Sequence, residues 1–227
     1  MIVLTASDAD SQVVELLKQY PKLSLMESDA SCIRLQGEID VYRTASNFTL
    51  DRVYNIEVRI PVDSSDLPSV IDLGGAIDSA YPHRYTSGEL CLETDAAIRL
   101  RFIDGFNLVE WVEEYVESYY FSYEYYMRFG VYPFGERPHG LEGIFSTYQD
   151  LFHETDIKTL WALLQYCADK NYHGHINCPC GSMKRLRQCH GKILFPIMTD
   201  SRKKEVIQMD VEVIRYELTR KNKQSPK

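Results

Sequence analysis

The stretch Cys32-Ile33-Arg34-Leu35-Gln36-Gly37-Glu38-Ile39-Asp40-Val41 alternates apolar Ile33, Leu35, Ile39 and Val41 with polar Arg34, Gln36, Glu38 and Asp40. A period of two marks a strand with one face on a core and the other toward solvent. Val53, Ile56, Val58 and Ile60 form a second such run, and the turn region Ala45-Ser46-Asn47 between them predicts a hairpin. Pro61 ends the second run, and a third short strand is expected at Val70–Leu73, before Gly74-Gly75.

Outside the strands the period changes to that of helices. Val13, Leu16, Leu17 and Tyr20 follow an Asp/Ser-rich start and precede Pro21, which predicts a helix over 8–20. Residues 81–97 read as a loop broken by Leu90-Cys91-Leu92. A long helix is expected from Leu108 to Phe129, with Val112, Val116, Tyr119 and Tyr123 on one side, stopped by Gly130, Pro133 and Gly135. Its Tyr-rich part, flanked by Glu113, Glu114, Glu117 and Glu124, reads as packing rather than as a platform for bases. Further helices are expected at 141–152, at 156–166 with Ile157, Leu160, Leu163, Leu164 and Cys167 inward, and at 202–221 with a Val206, Met209, Val213 and Tyr216 stripe. The fold class is α+β.

Composition bounds the function. The chain has 227 residues, 44% hydrophobic and 26% charged, enough for a core and unlike a disordered or fibrous chain. No run reaches the roughly 18–20 apolar residues of a membrane span, and Met1 opens no basic-then-apolar leader, so a soluble cytoplasmic protein is expected. Residues 1–170 hold 13 basic against 28 acidic residues, and residues 171–227 hold 12 against 5. The acidic body argues against nucleic acid as its partner. The basic end suits an acidic protein, a phosphate backbone or its own acidic half.

Cysteine is unevenly placed. Cys32, Cys91 and Cys167 are scattered, whereas Cys178, Cys180 and Cys189 fall within twelve residues, with His190 beside the last. Three thiolates and one imidazole suit tetrahedral Zn²⁺, and a shell closed by four protein ligands leaves no position for substrate. The site therefore reads as structural, which argues against a zinc hydrolase, and its metal supplies folding free energy to a short segment. Cys178-Pro179-Cys180-Gly181-Ser182-Met183-Lys184 followed by Cys189-His190-Gly191 resembles the SecA C-terminal (SEC-C) zinc motif. The resemblance implies a zinc module that contacts a protein partner or the ribosome; His173 and His175 are left out of the ligand set.

Cys91, between two leucines, reads by default as a small buried hydrophobe. Its setting offers a second reading. Tyr81-Pro82-His83 precedes it, His83 stands eight residues before it and Gly88 three before it, and Leu35-x-Gly37-x-Ile39, Ile60-Pro61 and Leu67-Pro68 lie upstream. Over residues 8–130 this pattern resembles the ubiquitin-conjugating enzymes, with Tyr81-Pro82-His83 where that family has His-Pro-Asn. The resemblance implies a UBC-like fold of an N-terminal helix, an antiparallel β-meander and C-terminal helices over 1–170, with the zinc module and last helix over 171–227. It implies Cys91 as the nucleophile that carries an acyl group as a thioester, and His83 in the oxyanion-stabilising place of the Asn. Glu89, Glu93 and Asp95 would raise the thiol pKa if close, leaving His83 or Arg84 to offset them.

Gly135-Glu136-Arg137-Pro138-His139-Gly140 reads as a Pro/Gly turn between helices, and is also similar to a Gly-Glu-Arg-x-His-Gly run of bacterial conjugating-enzyme-like proteins. That similarity implies a loop that supplies His139 as an acid/base or Arg137 as an anchor. The pairing of such a domain with a SEC-C knot resembles the conjugating-enzyme-like proteins of short type II CBASS antiphage operons. It implies transfer of the C-terminus of a cGAS/DncV-like nucleotidyltransferase to lysine. The alternative is an inactive UBC-like binding module that docks its partner through the zinc knot, as the missing Asn allows.

Overall fold

Alternation in the sequence becomes sheet order in the structure, a computed structural model that describes residues 3–45, 47–135, 138 and 140–224. The chain divides into two compact units, residues 1–93 with 104–136, and residues 94–103 with 137–227. The helices at 140–169 thus cluster with the cysteine-rich segment, across the charge boundary at Lys170.

The first unit opens with α1 (Ala6–Gln19), whose N-terminus is capped by Thr5 Oγ1, the acceptor of the Asp8 N–H at 3.2 Å. Ala9, Val13, Leu16 and Tyr20 form its buried stripe. The side-chain amide of Gln12 binds both backbone groups at the start of the later helix, donating to Phe106 O at 2.8 Å and accepting from Leu108 N at 2.7 Å. Strands β1 (Leu23–Ser28), β2 (Cys32–Ala45), β3 (Phe48–Pro61) and β4 (Ser69–Asp72) then form one antiparallel sheet in the order β1-β2-β3-β4. The expected hairpin is β2–β3, and the expected 70–73 strand is β4. The sequence reading missed β1, whose exposed Leu25 and Met26 leave it without an alternating signature. Gly37 explains the Leu-x-Gly-x-Ile run: its φ of 145° is in glycine territory, and a Cβ there would collide with the Lys22 carbonyl just before β1.

The inner face of the sheet carries Ile33, Leu35, Ile39, Tyr54, Ile56, Val58 and Ile60, all nearly fully buried. It packs on a continuous helical rod of α3 (Leu108–Trp111), a π segment (Val112–Val116) and α4 (Glu117–Phe129). Tyr54 and Tyr120 stack at 3.9 Å between centroids, and Phe48 meets Phe121 at 5.4 Å. The Tyr-rich helix is therefore core, as its acidic flanks suggest. The wide π turn shifts the buried face by a residue, so Trp111, Val112, Val116, Tyr119, Tyr120 and Tyr123 all point inward.

On the opposite face Glu57 is only 3% exposed although it is charged. Arg34 reaches it at 2.9 Å and Arg59 at 2.6 Å, and Gln36 donates a further bond. Burial alone would raise its carboxyl, but these donors outweigh burial and hold it down at about 2. A depressed carboxylate contributes stability above its unfolded pKa that is lost as pH falls through the folded value. Glu57→Gln should therefore lower stability at pH 7 by roughly 1–3 kcal/mol. It should also flatten the wild-type loss between about pH 4.5 and 2 in denaturant titrations.

The second unit holds α2 (Asp95–Arg101), α5 (Gly140–Phe152), α6 (Ile157–Asp169), α7 (Gly191–Met198) and α8 (Ser201–Gln224). Its core comprises Tyr148, Phe152, Leu160, Leu163, Leu164 and Cys167 with Leu194, Val206, Ile207, Val211 and Ile214. Two expected faces are rotated in the structure. Ile157 is exposed, because Asp156 caps α6 through Thr159 N and leaves Ile157 in the first turn at the surface. On α8 the inward stripe is Val206, Ile207, Asp210, Val211 and Ile214, whereas Val213 and Tyr216 face solvent. The buried Asp210 hides this stripe from a purely apolar count. Among the described residues no helix is long and apolar enough to cross a membrane.

Asp210 accepts a 2.8 Å hydrogen bond from Tyr148. Burial is the main force on it, and although the Tyr148 hydroxyl opposes the shift and Asp95 adds to it, the carboxyl ends at about 6. Arg99, itself buried and 3.6 Å from Asp95, moderates that rise. A raised carboxyl binds its proton more tightly when folded, so its contribution is complete below the unfolded pKa and lost as pH rises through about 6. Asp210→Asn, which keeps an acceptor for Tyr148, should gain roughly 1–3 kcal/mol over wild type at pH 8 and nothing at pH 4. Thermal melts at the two pH values measure the difference.

Candidate functional site

Two groups of reactive side chains stand out, one in each unit. In the first unit the chain leaves β4, runs through residues 73–81 and doubles back. Arg84 pairs with Leu90 across a short antiparallel bridge, and residues 85–89 close the turn through Tyr85 N to Glu89 O and Gly88 N to Tyr85 O, both 2.9 Å. Cys91 N donates to His83 O at 2.8 Å, which sets residues 83 and 91 directly opposite each other. The ladder is fastened to the sheet edge by Leu90 N to Val70 O at 2.8 Å and an Ile71–Glu89 bridge. The eight-residue spacing is thus the length of a hairpin that brings His83 beside Cys91.

Three hydroxyls of one helix fix this segment. Tyr120 donates to Asp72 Oδ1 at 3.4 Å, Tyr123 accepts from Asp78 N at 3.2 Å, and Tyr119 donates to His83 O at 2.8 Å. The His83 carbonyl therefore receives both Cys91 N–H and Tyr119 O–H. Burial, followed by the proximity of Cys91, pushes the Tyr119 hydroxyl far above its ordinary range, so it stays a neutral donor next to the thiol. The His83 ring lies 5.3 Å from Tyr81 and 5.4 Å edge-on to Tyr132, which stacks on Tyr126 at 4.5 Å.

Cys91 itself is half-buried, neither sealed like Cys167, whose thiol burial pushes up to about 12, nor fully open. Of the acidic neighbours, Glu89 is turned aside, accepting from Ser69 at 2.9 Å and Ser87 at 3.0 Å. Arg84 donates to Ile77 O at 3.3 Å. Arg137 and His139 lie outside the described residues. The tyrosine clamp was missed by sequence reasoning, which treated Tyr119 and Tyr123 as packing only; their spacing and that of Tyr120 carried the signal, but not its target.

In the second unit Cys178, Cys180, Cys189 and His190 offer ligand atoms that all lie within 4.8 Å of one another. A short hairpin carries the first two cysteines, paired by Asn177–Arg185, Cys178 N to Lys184 O and Leu186 N to Ile176 O. A 3-10 turn (Leu186–Gln188) then delivers Cys189 and His190 to the start of α7. Gly191 has no substitute there, because a Cβ would come within 2.6 Å of Leu186 O and 2.7 Å of the Tyr172 hydroxyl.

The cluster has the dimensions of a coordination shell. Cys178 Sγ is 3.3 Å from His190 Nδ1, Cys189 Sγ is 3.4 Å from it, and Cys180 and Cys189 Sγ are 3.6 Å apart. A tetrahedron with ordinary zinc–sulfur and zinc–nitrogen lengths has edges of roughly 3.6–3.8 Å, so the donor set fits a four-coordinate ion with little adjustment. Burial works against ionising these thiols, yet the Ser182 hydroxyl and N–H and the neighbouring thiols hold Cys180 down at about 6; burial pushes Cys178 up to about 11. The other ring nitrogen, Nε2 of His190, faces Glu154 Oε2 at 3.5 Å. Nothing near the motif announces Glu154. The His173 and His175 rings pack against each other at 5.9 Å and stay out of the cluster.

No family model, curated protein or solved structure matches this chain. The residues therefore carry the functional argument. For the cluster, metal analysis of the purified chain should give about one ion per chain, and Cys178→Ser should lose most of it; full retention by that variant would remove the ligand assignment.

Proposed function

We propose that the chain is a ubiquitin-conjugating-enzyme-like acyl carrier, with Cys91 as nucleophile and Cys178, Cys180, Cys189 and His190 as a structural Zn²⁺ site. The observation that carries the reading is the hairpin that sets half-buried Cys91 opposite His83, with Tyr119 bound to the shared carbonyl. A strand meander, a Pro-His turn and a cysteine at its exit, followed by helices, is the order that the resemblance to conjugating enzymes implies. Zinc, when bound, supplies four strong bonds that hold a short segment folded and no open position for substrate.

The chemistry follows from the thiol. The Cys91 thiolate attacks the carbonyl carbon of an activated protein C-terminus, forming a C–S bond as the activating group leaves with its electron pair. A lysine amine then attacks the thioester, the C–N bond forms, and the thiolate departs as the ammonium loses its proton. The donor arrives activated, as an acyl adenylate or thioester on a separate protein or as a peptide bond exchanged directly, because a free carboxylate does not acylate a thiol. Tyr119 O–H and Cys91 N–H fix the position of the His83 carbonyl, and the His83 ring N–H is the candidate donor to the developing oxyanion. The partner in this proposal is a cGAS/DncV-like nucleotidyltransferase, conjugated in a cytoplasmic antiphage response.

A second reading, a binding module without turnover, is favoured by the His83 ring itself, which packs against Tyr81 and Tyr132 where the conjugating family has an Asn. Co-expression with the cGAS/DncV-like nucleotidyltransferase of the same genome separates the two. Acyl transfer is expected to give a thiol-sensitive adduct with wild type, none with Cys91→Ala and a thiol-resistant ester with Cys91→Ser on reducing and non-reducing gels. A stable complex with no adduct in any variant would leave the binding module.

A further inference from the structure

The four metal-ligating candidates fall within thirteen residues, yet a residue of the α5–α6 corner also lies against them. Glu154 lies on that corner, 36 positions before His190, and its carboxylate is shared between two tasks. Oε1 accepts from Asp156 N at 2.9 Å at the entrance to α6, and Oε2 points at His190 Nε2 from 3.5 Å. Both side chains are largely covered, His190 being 17% and Glu154 20% exposed.

The backbone aims this carboxylate. Glu154 N donates to Gln149 O at 3.2 Å, the Gln149 side chain donates to Thr155 O at 3.0 Å, and His153 is held at a φ of 52°, a conformation uncommon for a residue with a side chain. The ring of His190 divides its nitrogens accordingly. Nδ1 faces Cys178 and Cys189, so a metal held by the cluster would bind Nδ1 and leave the ring proton on Nε2. A ligating imidazole that donates its other N–H to a carboxylate is fixed in tautomer and ring orientation and becomes a better ligand.

We infer that Glu154 is a positioning residue for the metal site, a carboxylate partner to the ligand His190 that ties the cysteine knot to the α5–α6 corner. The inference rests on the metal-site reading. It gives the metal a reach beyond its own segment: occupancy at Cys178, Cys180, Cys189 and His190 also orders the turn that starts α6.

Zinc affinity by chelator competition tests it in four proteins: wild type, Glu154→Ala, His190→Cys and the double variant. In the His190 background Glu154→Ala should weaken zinc about 10–100-fold. In the His190→Cys background, where the fourth ligand has no second nitrogen to hold, the same change should weaken it less than about 3-fold. Glu154→Gln, whose amide oxygen still accepts, should fall between wild type and Glu154→Ala. A loss of equal size in both backgrounds would mean that Glu154 acts only through the start of α6, and no loss in either would remove it from the site; both overturn the inference. Should His190→Cys bind no metal, the imidazole N–H proton of His190 in the zinc-loaded protein decides. It should be protected from exchange in wild type and exposed in Glu154→Ala, and equal exchange in the two would overturn the proposal. A wild type that binds no zinc overturns the metal reading itself and this inference with it, a result distinct from zinc-loaded protein indifferent to Glu154.

Discussion

Everything proposed for the first unit depends on three phenol groups projecting from one turn of α4. Tyr119, Tyr120 and Tyr123 bury their rings in the core, and each still sends its hydroxyl to a polar group of the chain between β4 and Cys91. A buried Tyr hydroxyl needs a partner, and a loop needs its backbone groups satisfied; here each requirement is met by the other. A segment that would otherwise wander is thus held at Asp72, Asp78 and His83. Loss of one hydroxyl would remove one of these three ties, which is why a packing helix has consequences for a thiol.

The second unit solves a different problem. The stretch between α6 and α7 has few apolar residues to bury, and its tight turns bring Gly191 against the Leu186 carbonyl and the Tyr172 hydroxyl. Thiolates gathered at hydrogen-bond distance repel one another as they ionise, so a cation is the natural means of holding them together. Away from the knot, the helices tolerate a buried Asp210 because Tyr148 donates to it and Arg99 lies nearby, a polar core that costs stability at neutral pH.

What could be read in the sequence divides along the same physical line. Features fixed by local period or ligand chemistry were visible: the β2–β3 hairpin from its alternation, the ends of α1, the long helix to Phe129, and the four-residue ligand cluster from its donor types. Features fixed by tertiary partners were not. Strand β1 is exposed at all but Leu23, so only its pairing with β2 reveals it. Helix α7 contains Pro196, which argues against a helix in any local reading. The face of α8 was misjudged because an ionisable residue stands at the centre of its buried stripe. Helix α2 begins inside the stretch 81–97 that reads as loop, because its few apolar residues, Ala96 and Ile98 among them, are too short a run for a period to show.

The placement of α2 limits how the chain can be divided. Residues 94–103 belong to the second unit although they are encoded between two parts of the first. Cutting the chain at residue 137 would leave α2 in the first piece, without α5 and α8, the helices it packs on. The two units are interleaved in the message itself. Neither unit can be taken from the gene as one uninterrupted stretch.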